Sequence, residues 1–487
     1  MMIESILIFP LITSLILFLI KSKRLNNLVL IGYSVILLYN SIMMNLTLIN
    51  TGKLPYNSFG AYFNADSLNI LFLLVLAIIF VGVAIYNQGF MKNPEIGKNQ
   101  HTYYSIGVLL FIFSMAGAIL SANLALSWVF IEATTLASAY LIYFNKTKNA
   151  LEATWKYVFI CSIGIALAFV GIILLSIGTG KYNSLFFNEL YLNAAKIAPF
   201  WLKLSFVFIL IGFGTKMGLA PVHAWLPDAH SEAPSPISAL LSATLLNSAF
   251  LIILRVYKLM ELSHVGYYAK ILLISMGLLS LFITAIFVFN INNYKRMLAY
   301  SSIENMGIIA IGIAVGGPGI YAAMLHLISH SLIKSSFFLT AGNILKLFKT
   351  KKINEINGIL KLDKVTGWLW IACFLGIVGL PPSPIFISEF LLIKAMFVKN
   401  QYALIIVFSI LLTIIMYGIG KSIIRMSFGD IKIPETSDNQ PVTKDISFGM
   451  YMPQLVFIAV SLILGIYIPS CINQLLHNAV LAISSVT

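Results

Sequence analysis

Apolar runs of about 20 residues recur from one end of this 487-residue chain to the other, and each is long enough to cross a bilayer. In hydrocarbon every backbone N–H and C=O must be satisfied inside the protein, so such runs must be helices or strands of a closed barrel. Their length and continuity fit helices, and no segment reads as a convincing strand. Fourteen runs stand out, at roughly 3–20, 27–49, 67–88, 105–121, 123–143, 153–178, 200–219, 236–257, 267–290, 296–315, 320–345, 366–397, 402–424 and 449–468. The polar gaps are too short for a soluble domain; the longest, 425–448, holds Pro434 and Pro441. The expectation is one all-α, polytopic membrane domain over 1–487. Residues 1–20 lack a basic start and a small-residue cleavage site, so no cleavable signal peptide is expected.

A net charge of +14 could suggest a nucleic-acid partner. Its distribution argues otherwise. With the N-terminus outside, 19 of the 31 basic residues fall in loops on one side, among them Lys21, Lys98, Lys146, Lys295, Lys351, Lys432 and Lys444. The opposite side carries Lys53, Lys181, Lys196, Arg255, Lys258 and a few others. This is the positive-inside bias, and it predicts both termini on the outer side of a cell (plasma) membrane. The charge orients the chain in lipid and implies no nucleic acid. Four lysines remain within spans: Lys156, Lys216, Lys334 and Lys394. The three cysteines, Cys161, Cys373 and Cys471, have no metal-ligand spacing, and an iron–sulfur cluster normally takes four thiolates.

Two spans are interrupted. In GTKMGLAPVHAWLPDAHSEAPSPISALL (214–241), Lys216 is followed by Pro221, Pro227, Pro234 and Pro236, interleaved with His223, Asp228, His230 and Glu232. In GLPPSPIFISEF (379–390), Pro381, Pro382 and Pro384 precede Glu389. Broken backbone at membrane depth is tolerated only where it faces protein or water. Such breaks in corresponding positions of two halves point to a repeat-built transporter. The breaks fall in the seventh and twelfth spans, an odd number apart, so the halves would be inverted.

Each charge at mid-membrane costs about 2.5–3.5 kcal/mol on insertion scales, so several in one chain need a reason. Glu132 lies halfway along the fifth span, as a proton carrier, a lysine partner or a carboxylate bonded to Thr134 or Thr135. Lys216 is too far into its span for simple snorkelling, and a buried lysine exchanges its proton readily. His326, His330 and Lys334 are spaced by four and share one helical face. They read as a proton relay. A zinc site is the rival, but no acid or cysteine completes it locally and the lysine cation opposes it.

These motifs, with the acidic fifth span, NNYKRMLAYSSIENMGI (292–308) and HLISHSLIKSSFFLTAG (326–342), resemble the antiporter-like membrane subunits of NADH–quinone oxidoreductase, multisubunit sodium/proton antiporters and membrane-bound hydrogenases. The likeness runs over roughly 60–430. It implies fourteen helices with two inverted five-helix repeats, 105–257 and 267–424, broken at helices seven and twelve and flanked by 1–88 and 449–487. It also implies that Glu132 pairs with Lys216, that His326, His330 and Lys334 form the central relay, and that Glu389 is the distal residue of the last half-channel. One position departs. Quinone-oxidoreductase relatives of the M type carry lysine on the eighth span, where this chain has Asn247, so that step would need bound water or the nearby His223. Asn247, SSIENMG and LPPSPIFISEF together resemble component F of hydrogenase-4 and formate hydrogenlyase; Glu304 is a further acid candidate. No long lateral helix of the L type is expected after the last span.

The expected function is proton translocation within a membrane-bound redox complex of hydrogenase-4 or formate hydrogenlyase type. This chain would hold no cofactor, while a nickel–iron centre and iron–sulfur clusters would sit in hydrophilic redox subunits, with further membrane subunits beside it. The alternatives are a sodium/proton antiporter subunit, a pumping subunit of NADH–quinone oxidoreductase, and a scaffold with a vestigial channel. Quinone reduction by this chain has no cofactor constellation to support it.

Overall fold

The computed structural model describes residues 2–51, 57–92, 96–180, 184–431 and 446–483. Lys53, Lys181, Lys432, Lys444, Pro434 and Pro441 lie outside them. The helices, in chain order, are α1 (Met2–Ile20), α2 (Lys23–Thr51), α3 (Ser67–Phe90), α4 (Lys98–Leu120), α5 (Leu124–Ile142) and α6 (Lys148–Thr179). Then come α7 (Phe187–Leu192), α8 (Pro199–Met217), α9 (Leu226–Glu232), α10 (Ser235–Leu240), α11 (Leu246–Leu262), α12 (Gly266–Phe287), α13 (Tyr294–Val315) and α14 (Pro318–Phe348). The last are α15 (Ile359–Leu362), α16 (Lys364–Ile377), α17 (Pro384–Val398), α18 (Tyr402–Ser427), α19 (Met452–Ile466) and α20 (Ser470–Ile483). A π-helical turn, Leu241–Leu245, joins α10 to α11. Where no strand was expected, β1 (Asn57–Ser58) and β2 (Phe63–Asn64) form a two-residue antiparallel pair.

Every expected span is helical, but the count of fourteen is not confirmed. Among the described residues twelve helices are long and apolar enough to cross a membrane, or thirteen if α19 and α20, bent by 78°, count as one. The segment read at 366–397 is two helices of 14 and 15 residues. The one read at 449–468 is the 15-residue α19. Loop side chains start several helices by accepting orphan N–H bonds: Asp66 for α3, Asn123 for α5, Thr147 for α6 and Asn293 for α13.

Burial sorts the helices. The spans Ser235–Leu262 and Pro318–Phe348 are 100% buried over their most apolar windows and Tyr294–Val315 is 94% buried, against 33–39% for α1, α2, α5, α6, α12 and α18. Peripheral helices present Leu136, Trp155, Phe159 and Ile424 outward, a surface suited to lipid. The interior helix α14 carries His326, His330 and Lys334, so those polar groups are enclosed by protein. Small residues permit close crossings: a Cβ on Gly212 of α8 would stand 2.5 Å from the Ala168 backbone nitrogen of α6.

The two breaks are built alike. Past α8, Gly218 takes φ +80°, and the Leu219 N–H reaches the Gly214 carbonyl at 2.9 Å. Past α16, Gly379 takes φ +68°, and the Leu380 N–H reaches the Leu375 carbonyl at 3.1 Å. Both ends are closed by a left-handed glycine and a bond spanning five residues, the Schellman arrangement. The sequences match as well, Gly218-Leu219-Ala220-Pro221 against Gly379-Leu380-Pro381-Pro382. The chain then restarts with proline in the first turn, Pro227 for α9 and Pro384 for α17, where the missing N–H costs nothing.

Candidate functional site

Lys216 occupies the last turn of α8 and is fully buried. Its ammonium donates to the Tyr157 hydroxyl at 2.7 Å and lies 4.5 Å from the centre of that ring. The Tyr157 and Ser138 hydroxyls are 2.6 Å apart. Cys161, one turn along α6 from Tyr157, and Glu132 both lie within electrostatic reach of the ammonium. Glu132 and Lys216 are not ion-paired. The half-buried carboxylate of Glu132 instead accepts from Thr135 at 3.1 Å and Ser162 at 3.2 Å.

On the side carrying the basic loops, α9 closes the first break. Asp228 pairs with Lys156 at 3.2 Å and with Arg296 of α13. Glu232 pairs with Lys351 at 2.9 Å. The buried Lys295 donates at 2.6 Å to the Ala233 carbonyl at the end of α9. His223 stands edge-on to Tyr300, with ring centres 6.3 Å apart. Lys156 is thus an exposed, ion-paired residue rather than a buried one, and Lys394 is exposed on α17. Of the four lysines read within spans, the structure buries Lys216 and Lys334.

Lys334 is fully buried on α14, donating at 2.6 Å to the Leu298 carbonyl of α13. His330 and His326 lie on the same helical face, also buried. His326 is held on both sides: Nε2 is 3.0 Å from Asn305 Oδ1 and Nδ1 is 2.9 Å from Ser388 Oγ. Neither His330 nitrogen has a hydrogen-bond partner. The buried Glu304 is within electrostatic reach of both Lys334 and Glu389. Glu389 turns back on the second break, where a Cβ on Gly379 would stand 2.6 Å from its Oε2. Electrostatic reach thus links Lys334 to Glu304 and Glu304 to Glu389, and His326 joins α14 to α17 through Ser388, the residue preceding Glu389.

Asn247 is buried on α11. Its amide donates to the Ala243 carbonyl at 2.7 Å and to Ser331 of α14 at 2.9 Å. His223 packs at Tyr300, and Lys334 acts electrostatically on both His330 and His230. Residues that sequence reasoning did not assign to the site are Tyr157, Ser138, Cys161, Asn305 and Ser388. The available signal was the four-residue spacing of Tyr157 and Cys161, which puts both on the buried face of α6. Among the described residues no group of three or more His, Cys, Asp or Glu is arranged to hold a metal ion.

A buried ammonium without a carboxylate partner is expensive, and ionisable groups enclosed at membrane depth are typically functional. Lysine amines, hydroxyls, imidazoles and carboxylates in this order can pass a proton between two enclosed centres. The NADH:quinone oxidoreductase/Mrp antiporter transmembrane family matches residues 121–415. The chain is 34% identical to a hydrogenase-4 component F homolog of Methylacidiphilum infernorum over 96% of both chains. It is 28% identical to a Na(+)/H(+) antiporter subunit of Bacillus subtilis, over 85% of this chain and 81% of that one. Its fold matches a chain of the membrane-bound sulfane sulfur reductase, an archaeal respiratory membrane complex, with a TM-score of 0.87. That match covers 99% of this chain and 97% of the other at 23% identity.

Proposed function

The chain belongs to the NADH:quinone oxidoreductase/Mrp antiporter transmembrane family, and from that membership we propose that it is the proton-translocating subunit of a membrane-bound redox complex of hydrogenase-4 or formate hydrogenlyase type. The observation that carries this reading is the pair Lys216 and Lys334, both fully buried and neither ion-paired with a carboxylate.

In this reading Lys216 loads from the side of the basic loops, past His223 and α9. Glu132 biases that lysine electrostatically, without direct contact. The proton then moves to the centre formed by Lys334, His326 and His330, and leaves through Glu304 and Glu389. Moving one charge against 100 mV takes about 2.3 kcal/mol, so the work must come from a partner. Hydrophilic subunits with a nickel–iron centre and iron–sulfur clusters would carry the electrons. The matched breaks support two inverted repeats over 105–257 and 267–424. The positive-inside bias supports a plasma-membrane orientation with both termini outside.

The test is Lys216→Ala in the intact complex. Proton translocation coupled to electron transfer is expected to fall to the background of uncoupled membranes. Wild-type translocation in that variant would falsify the reading. A sodium requirement for translocation would favour the antiporter reading instead, although sodium is best held by clustered oxygens and the fully buried cations at both centres are lysines.

A further inference from the structure

His230 lies between the two buried lysines. It projects from the inner face of α9, while Asp228 and Glu232 on either side pair with Lys156, Arg296 and Lys351. The ring is completely buried, and neither nitrogen has a hydrogen-bond partner of good geometry, although the Ser238 backbone lies within polar reach. It is enclosed by aromatic faces, with Trp225 at 6.3 Å and Phe338 of α14 at 5.1 Å between ring centres.

Those neighbours lead to the lysines on either side. Trp225 packs on Tyr157 at 4.9 Å, and Tyr157 holds the Lys216 ammonium. On the other side the Lys334 ammonium lies 5.9 Å from the centre of the Phe338 ring. Lys334 and Lys295 both act electrostatically on the imidazole, and the Ser238 backbone lies beside it.

Buried polar atoms are nearly always partnered, and an exception in a site calls for a reason. A packing role would be served equally by phenylalanine, without the desolvation cost of two ring nitrogens. Asn247, which stands where some relatives have lysine, is committed to Ala243 and Ser331 and cannot carry a proton as a cation. Imidazole can accept a proton on one nitrogen and release a different proton from the other.

We propose that His230 is the proton carrier joining the Lys216 centre to the Lys334 centre. The inference rests on the pumping function proposed above. One imidazole nitrogen accepts the proton given up by the Lys216 ammonium, relayed by water because the rings between them cannot conduct it. The other nitrogen releases a proton to the neutral Lys334 amine, so one N–H bond forms and one breaks at each transfer. The Lys295 amine is bound to the Ala233 carbonyl, and a cation on Lys334 disfavours a second charge on the imidazole. The imidazolium is therefore tolerated only while Lys334 is neutral. That mutual exclusion makes His230 a one-proton gate, loaded only after Lys334 has passed its proton toward Glu304.

The test uses the intact complex in its membrane. Proton translocation is measured with electron transfer, and assembly is read from the uncoupled electron-transfer rate. His230→Gln and His230→Phe, the second keeping the aromatic stack, are each expected to assemble and to lower coupled translocation at least tenfold. His230→Gln/Asn247→Lys is expected to recover much of the loss, because a titratable group returns beside Ser331 on the helix that carries Lys334. Wild-type translocation in either single variant overturns the proposal. Loss without recovery in the double variant also overturns it, by assigning the ring a packing role. If the single variants do not assemble, the same substitution is made in the Asn247→Lys background, where assembly without translocation is the overturning result. Failure of the Lys216→Ala test sinks the pumping function itself, whereas intact translocation in His230→Gln beside an inactive Lys216→Ala sinks only the gate.

Discussion

The Lys216 ammonium bonds to the Tyr157 hydroxyl at 2.7 Å, not to the carboxylate of Glu132. The lysine is thereby held by a neutral group that can take part in proton transfer, and the acid acts on it from a distance. Tyr157→Phe removes one bond to a charged group, worth about 1.5–3 kcal/mol. Coupled translocation should drop roughly tenfold or more, with electron transfer in uncoupled membranes retained. Proton uptake by energised vesicles containing the variant checks this.

Asn305→Leu releases the Nε2 side of His326 while Ser388 keeps the other. A net hydrogen bond is worth about 1 kcal/mol, so a roughly fivefold slowing of translocation is expected. Asn305→Asp, which keeps an acceptor at that place, should be less affected than the leucine variant. Equal rates for the two variants would mean that His326 needs no anchor.

Gly465 of α19 packs on the second break. A Cβ there would stand 1.7 Å from the Pro382 carbonyl oxygen, a backbone atom that cannot swing aside. Gly465→Ala should destabilise the subunit by at least about 1–3 kcal/mol, the usual cost of overpacking. Thermal unfolding of the purified complex reads it directly, and an unchanged midpoint would mean that α19 sits further from the break.

Arg255 is buried against Asp66 at 2.6 Å and Asn69 at 2.5 Å. Removing one partner of a buried pair costs about 3–5 kcal/mol. Asp66 is 31% exposed, so Asp66→Asn should fall at or below the low end. The expected signature is reduced thermal stability with translocation per assembled complex unchanged, measured on detergent-extracted material.

The sequence exposed most of this architecture because lipid leaves so few choices. Long apolar runs give helices, and a proline-rich interruption beside a lysine or acid gives a break. Lys216, Lys334 and the two histidines were legible for the same reason: charge or imidazole inside an apolar run is conspicuous. Tyr157 was not, because a tyrosine among Trp155, Val158 and Phe159 reads as ordinary packing and its lysine is 59 residues away. Lys156 was read too deep. The 32 residues of α6 span about 48 Å, well beyond the hydrocarbon, so its first turns can stand clear of it. Arg255 was counted among the loop charges of one side although it falls within the apolar run 236–257. Its real setting, inside α11, depends on Asp66 on a distant segment, which no local pattern encodes.

The fastening of α9 has a mechanical meaning. This short helix belongs to the first half of the chain, yet Asn293, Lys295, Arg296 and Lys351 of the second half hold it. The ion pairs among these are partly exposed and individually weak, about 1 kcal/mol, whereas Lys295 is buried and holds the carbonyl end of the helix. A latch mounted on one half is therefore hooked to the frame of the other. Displacing it would require these contacts either to break or to carry α13 along, so a shift of α13 would be transmitted to the segment that follows Lys216.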